Sequence, residues 1–286
     1  MQRIKNGKRV SLTFDNWAEW VNYCEGAETC ENAAALPRHS IDYGGMDKFA
    51  GATVTQAIEF ARYGWRKGAE KVERLSSRIS HAVGSKMITH VPHFAVAGAC
   101  FDPGRFCAGD PDCMMDFGTE YRDAPNGNIL RLSVSIACSS YVPNNSITLF
   151  GASIVALIDS IEMSGRSVEL HLGVTMVYWE FSTLLKSAGE PLDIDRLAFA
   201  IAHPASQRKL LFMAQEREPS AVRKKCGFDG GGYHGGRPYD PDCKPSIGSD
   251  IPLPSINQFH EAVQNEGDAV KWILGKLREA GVEVEA

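Results

Sequence analysis

Residues 129–137 read Ile-Leu-Arg-Leu-Ser-Val-Ser-Ile-Ala, an apolar–polar alternation sustained over nine positions. Successive side chains of an extended chain point to opposite faces, so this pattern specifies a strand with one buried face. It ends at Cys138-Ser139-Ser140-Tyr141 and a turn around Pro143-Asn144-Asn145. From Ile147 to Met163 the period becomes helical, with Leu149, Ile154, Leu157, Ile158 and Ile161 as the apolar positions and Ser164-Gly165 as the stop. Small Gly151, Ala152 and Ser153 would let this helix lie close on a sheet. Val168 to Val174 alternates again, and Val177 to Leu185 reads as a further strand. The strand–helix–strand unit over 129–174 predicts a right-handed crossover joining parallel strands.

Beyond it, Pro191-Leu192-Asp193 opens a helix bearing Leu197, Ala198, Ala200 and Ile201. Pro204 breaks or restarts that helix, and Leu210, Leu211 and Met213 continue it. Ser255 and Asp268 are expected N-caps. Val270, Ile273, Leu274 and Leu277 form an apolar face, Gly281 ends the helix, and Val282-Glu283-Val284 is expected as a last short strand. Together these elements predict an α/β fold: an open, mainly parallel sheet with flanking helices in residues 126–286, carrying a glycine-rich loop at 223–250. Residues 1–125 are expected to form a helical and irregular N-terminal region.

Within that region, Val10 to Phe14 is strand-length and Asp15 or Asn16 can cap a short helix. Trp17, Trp20, Val21 and Cys24 fall on one face of it. The two tryptophans suit a base-stacking platform or core packing, and core packing is the expectation. Thr53 can cap a helix lined by Val54, Ala57, Ile58, Ala61 and Trp65. Ala69 to Val83 presents Val72, Leu75, Ile79 and Val83 opposite Lys71, Arg74 and Arg78, a basic stripe suited to solvent or to phosphate. Residues 90–117 combine turn formers with apolar residues, so an ordered, partly buried connection is expected.

Composition excludes several classes of function. With 44% apolar and 23% charged residues the chain is not disordered. A net charge of −5 provides no global field for nucleic acid or anionic lipid. No apolar signal core follows the basic N-terminus, and the apolar windows read as too short or too interrupted by charge to span a bilayer. A cytoplasmic protein without a membrane partner is therefore expected. The eight cysteines, in a chain of this length, are expected as free thiols.

The strand end, the helix Gly151-Ala152-Ser153-Ile154-Val155-Ala156-Leu157-Ile158, Gly165 and the strand Val168-Glu169-Leu170 together resemble the opening of von Willebrand factor A-type domains, over about 45 residues. The metal site of that family needs an Asp followed two and four residues later by serines. This chain has Ile136-Ala137-Cys138-Ser139-Ser140, so the resemblance implies a degenerate unit without its magnesium site. The whole chain also looks like an uncharacterised group of bacteriophage and prophage proteins. The parts that carry this are Trp17-Ala18-Glu19-Trp20-Val21, Ala108-Gly109-Asp110-Pro111-Asp112-Cys113-Met114 and Phe199-Ala200-Ile201-Ala202-His203-Pro204. That likeness implies a viral origin, hence the host cytoplasm, and no particular activity.

Six glycines fall between Gly227 and Gly236 in the loop that follows Lys224-Lys225-Cys226. It lacks the Lys-Ser/Thr and the preceding strand of a phosphate loop. Lys224, Lys225 and Arg237, with Tyr233 and Tyr239 interleaved, form the chain's best candidate for single-stranded nucleic-acid binding. The plain alternative is a solvated surface loop. Cys226, His234 and Cys243 offer three zinc ligands, although a spacing of 16 between the cysteines matches no standard ribbon. His90 and His93 form a second candidate metal pair across Pro92, and Cys107 and Cys113 are too far apart for a zinc knuckle. Neither Gly-x-Ser-x-Gly nor His-Glu-x-x-His occurs. His203 is expected to be structural, and Glu216 and Glu218 show no partner in the sequence. The expectation is a non-enzymatic phage accessory protein acting through macromolecular contacts: a protein partner, with single-stranded nucleic acid as an additional ligand and no cofactor. The alternative is a metal-dependent enzyme acting on nucleic acid, with zinc as its metal.

Overall fold

The computed structural model describes residues 1–6, 9–26, 48–84, 93–98, 100–116, 129–226, 228 and 247–284. Its strands are β1 (Gln2–Asn6), β2 (Arg9–Phe14), β3 (His93–Ala95), β4 (Cys100–Phe101), β5 (Met114–Asp116), β6 (Ile129–Ser135), β7 (Ser167–Thr175) and β8 (Trp179–Lys186). The helices are α1 (Trp17–Glu25), α2 (Val54–Tyr63), α3 (Arg66–Gly84), α4 (Pro103–Cys107), α5 (Asn144–Met163) and α6 (Ile194–Ala202), followed by a π-helical turn, Ser206–Leu211. After it come α7 (Phe212–Glu216), α8 (Ser220–Cys226), α9 (Ile256–Ala262) and α10 (Glu266–Glu279).

Five strands form one sheet in the order β1-β2-β8-β7-β6. The β6–β7 pair is parallel, as the crossover predicts, and β2–β8 is parallel too. The β1–β2 and β7–β8 pairs are antiparallel. The fold is mixed α/β, and the sheet is mixed rather than mainly parallel. Only Met176, Val177 and Tyr178 separate β7 from β8, which suffices for a hairpin, whereas a parallel return needs a long crossover. The first strands of the chain also complete the sheet, so the N-terminal region is not only helical and irregular.

One face of the sheet is apolar. Leu12, Leu132, Leu170, Leu172 and Phe181 are buried there. Trp20 of α1 stacks on Phe181, with ring centroids 4.1 Å apart and an interplanar angle of 9°. The other face carries Ser11, Thr13, Arg131, Ser133, Glu169, His171, Glu180 and Ser182 at alternating positions. β6 ends the sheet order, and its outer edge is taken up by the segment around Asp250. Asp250 N donates to Arg131 O at 2.9 Å, and Arg131 N donates to Asp250 Oδ2 at 2.7 Å.

α5 is the core helix. It is long and apolar enough to cross a bilayer, which the charge-interruption argument had discounted, but 72% of its apolar window is buried inside the protein. Gly151 lets another helix come close: a Cβ there would lie 2.5 Å from Ala202 Cβ of α6. Caps follow the expected chemistry. Asn16 accepts from Glu19 N, and Thr53 with Gln56 and Ser255 with Gln258 form reciprocal capping boxes. α10 is capped by Asn265 rather than by Asp268, whose own backbone N–H donates to Asn265 Oδ1 at 3.1 Å. Val284 makes only an isolated bridge, so the expected final strand is not formed among the described residues.

Candidate functional site

Lys224 and Lys225 lie exposed in the last turn of α8. Lys225 Nζ sits 4.8 Å from the ring centroid of Tyr178, at the β7–β8 turn. Phe228 is buried against Trp179, edge to face at 5.8 Å, so the start of the glycine-rich loop is anchored to this end of the sheet. Cys226 is half-buried, and burial pushes its thiol up to about 11. Tyr233, His234, Arg237, Tyr239 and Cys243 lie outside the described residues, as does His90, while His93 belongs to β3. Among the described residues, no group of three or more His, Cys, Asp and Glu is arranged to hold a metal. Cys24, Cys100, Cys107, Cys113, Cys138 and Cys226 are free thiols.

Within residues 90–117, expected as an ordered, partly buried connection, the described residues 93–98 and 100–116 form a three-stranded sheet of order β3-β5-β4. Local chemistry fixes it. Asp102 caps α4 by accepting from the backbone of Gly104 and Arg105. The Arg105 guanidinium lies 3.7 Å from the Phe94 ring centroid and pairs with Asp110 at 3.0 Å. Gly109 turns at φ 74°, a conformation that favours glycine. On this frame Phe101 and Phe106 are 49% and 60% exposed, edge to face with centroids 5.1 Å apart, and Val96 is 75% exposed. The sequence signal was present, as aromatic residues within a turn-rich stretch, but it does not say which side faces solvent.

A second concentration of chemistry lies between His203 and Glu218, where nearly every residue is buried. His203 terminates α6. Its Nδ1 accepts from Ala205 N at 3.0 Å, and the rings of Phe60, Trp65 and Phe199 surround it. Burial pulls its pKa down to about 4, in line with a structural role. The π-helical turn follows. Such turns are rare and frequent at functional sites. Gln207 Nε2 donates to Cys138 O at 2.8 Å, tying the turn to the carboxyl end of β6. Arg208 donates to Phe49 O at 2.7 Å and stacks on that ring at 3.8 Å. Arg217 donates to Glu25 O at 2.9 Å.

Glu218, 1% exposed, is bound by Arg3 and by Tyr23 Oη, so the carboxylate that looked solitary in sequence fastens β1 and α1 to this segment. Beside the β6 end, Ser139 is engaged by α9: its N–H donates to Asn257 Oδ1 at 2.9 Å, and Asn257 Nδ2 donates to its Oγ at 2.8 Å. On the polar sheet face, Glu169 accepts from His171 Nε2 at 2.8 Å and Arg131 Nε at 2.7 Å. The His171 and Arg131 bonds hold its carboxyl below the usual range.

Residues 2–282 match a protein family described as "Domain of unknown function (DUF7192)". No curated protein and no solved structure shows significant similarity to the chain.

Proposed function

We propose, for a chain that belongs to this family of unknown function, a role in macromolecular contact, with residues 93–116 as the surface that meets a protein partner. The observation that carries this is the Phe101–Phe106 pair, about half exposed while the main core is closed. Interfaces are anchored by a few aromatic side chains that are already ordered before binding. Here the Asp102 cap and the Arg105–Phe94 stack supply that order. The phage accessory origin implied by the sequence likeness fits this reading. The remote A-type likeness draws its support from the parallel β6–α5–β7 unit.

The test places a photocrosslinking amino acid at Phe106 in the native host, with Tyr63, 81% exposed on α2, as the control site. A discrete protein adduct from position 106 and not from 63 is expected. No adduct, or the same pattern from both sites, overturns the proposal. Stoichiometric zinc on the purified protein would turn the reading toward the metal-dependent alternative.

A second reading, single-stranded nucleic-acid binding, is favoured by the exposed Lys224 and Lys225 at the mouth of the glycine-rich loop. Each phosphate contact should contribute a slope of about −0.7 in the salt dependence. Fluorescence anisotropy with a labelled single-stranded oligonucleotide at low salt tests it. The K224A/K225A variant should lose binding, and equal binding by that variant, or none by the parent, removes this reading.

A further inference from the structure

We propose that Arg208 anchors an oxyanion-binding site at the carboxyl end of β6. The residue is 3% exposed, yet among the described residues no carboxylate pairs with it. One guanidinium nitrogen, Nη1, donates to Phe49 O, and the Phe49 ring covers one face of the plane. The other, Nη2, is buried and has no hydrogen-bond partner. Cys138, whose side chain lies within electrostatic reach, supplies no counter-charge, because burial keeps its thiol neutral. Beyond the strand end, Cys138 O accepts from Gln207 Nε2. Ser206, 2% exposed on the same π-helical turn, also has an unpartnered hydroxyl. Gln215 Oε1 and Arg217 Nε add two more buried, unsatisfied polar atoms within the same stretch of chain.

A guanidinium keeps its charge at any physiological pH, so burial does not neutralise it. An uncompensated buried charge is costly, and buried unsatisfied groups mark places where water or an ion belongs. The position agrees with a topological rule: ligands of open α/β sheets collect beyond the carboxyl ends of parallel strands, and β6 and β7 are such a pair. The ligand class that fits a fixed, unpaired guanidinium nitrogen is a small oxyanion, a phosphate or a carboxylate group.

Thermal unfolding of the full chain at pH 7 in sodium phosphate, sodium acetate and sodium chloride, at matched ionic strength, tests the site. A saturable rise in Tm is expected, about 5 °C or more once the oxyanion exceeds its Kd about a hundredfold. A rise with phosphate alone assigns a phosphoryl ligand, and one with acetate a carboxylate. Arg208→Met should abolish the rise. Arg208→Lys, which keeps the charge without the fork, should fold in any case and bind at least several-fold more weakly by calorimetric titration with inorganic phosphate or acetate, whichever raises Tm. A wild-type Tm that follows ionic strength alone, or a rise retained in Arg208→Met, overturns the proposal. So does equal affinity in Arg208→Lys.

Discussion

Leu132→Ala probes the register on which the sheet assignment rests. Leu132 is fully buried, paired in register with Leu170 of β7, itself fully buried. Its neighbours one step along the same face, Leu130 and Val134, are buried as well. The site has little room to collapse, because the strand is held on one side by β7 and on the other by the Asp250 segment. Removing the side chain beyond Cβ therefore loses both its transfer free energy and the contacts around the vacancy, about 3 kcal/mol in a range of about 2–5. At about 2–4 °C per kcal/mol for a chain of this size, Tm should fall by roughly 6–12 °C. Leu132→Asp adds an unpaired carboxyl to the same loss and should leave the protein unfolded. Ile129, three residues earlier and 52% exposed, is the internal control, and its alanine variant should stay within about 0.5 kcal/mol. The assay is calorimetry or circular dichroism on the three variants side by side. A Leu132→Ala Tm within about 1 °C of the parent, or an Ile129→Ala loss of the same size, would refute the register argument.

Two further outcomes follow from burial. His203 titrates near 4 when folded and near 6.5 when unfolded, so the unfolded chain binds more protons between those values. Stability is therefore intact above about pH 6.5 and falls by about 3 kcal/mol as pH drops toward 4, a loss that His203→Asn should lack; parallel urea-denaturation profiles for the two proteins would contradict this. Among the thiols, exposed Cys100 and Cys107 should react with a disulfide reagent in the native state, while buried Cys24 and Cys138, with thiols raised by burial, should react only on unfolding. Peptide mapping by mass spectrometry identifies the labelled positions, and native labelling of Cys24 or Cys138 would contradict the packing.

Strands β6 and β7 were legible because a half-buried strand writes its two faces into the sequence at period two. Caps such as Asn16, Thr53 and Ser255 were legible for an equally local reason. β1 was not, since an exposed edge strand reading Gln-Arg-Ile-Lys-Asn has no apolar face to display. Nor was the β2–β8 pairing, which joins Val10 to Trp179, because alternation tells which face is buried but not which strand lies alongside. The site was the least legible part. Glu216 and Glu218 show no partner in the sequence, and only tertiary packing, including Tyr23 and Arg3 closing over Glu218, takes Arg208, Lys209, Glu216 and Glu218 out of water.

The parallel seat of β2 beside β8 also bears on how the chain is made. During synthesis the first strand pair leaves the ribosome well before its partner, and it has no sheet to join until residue 186 has emerged. Closing a loop of that length costs entropy before any contact repays it, which slows folding and prolongs the life of open strand edges. Until β2 docks, the edge of β8 that pairs with it stays open, and a nascent chain in that state is a substrate for chaperones or for pairing with another copy of itself.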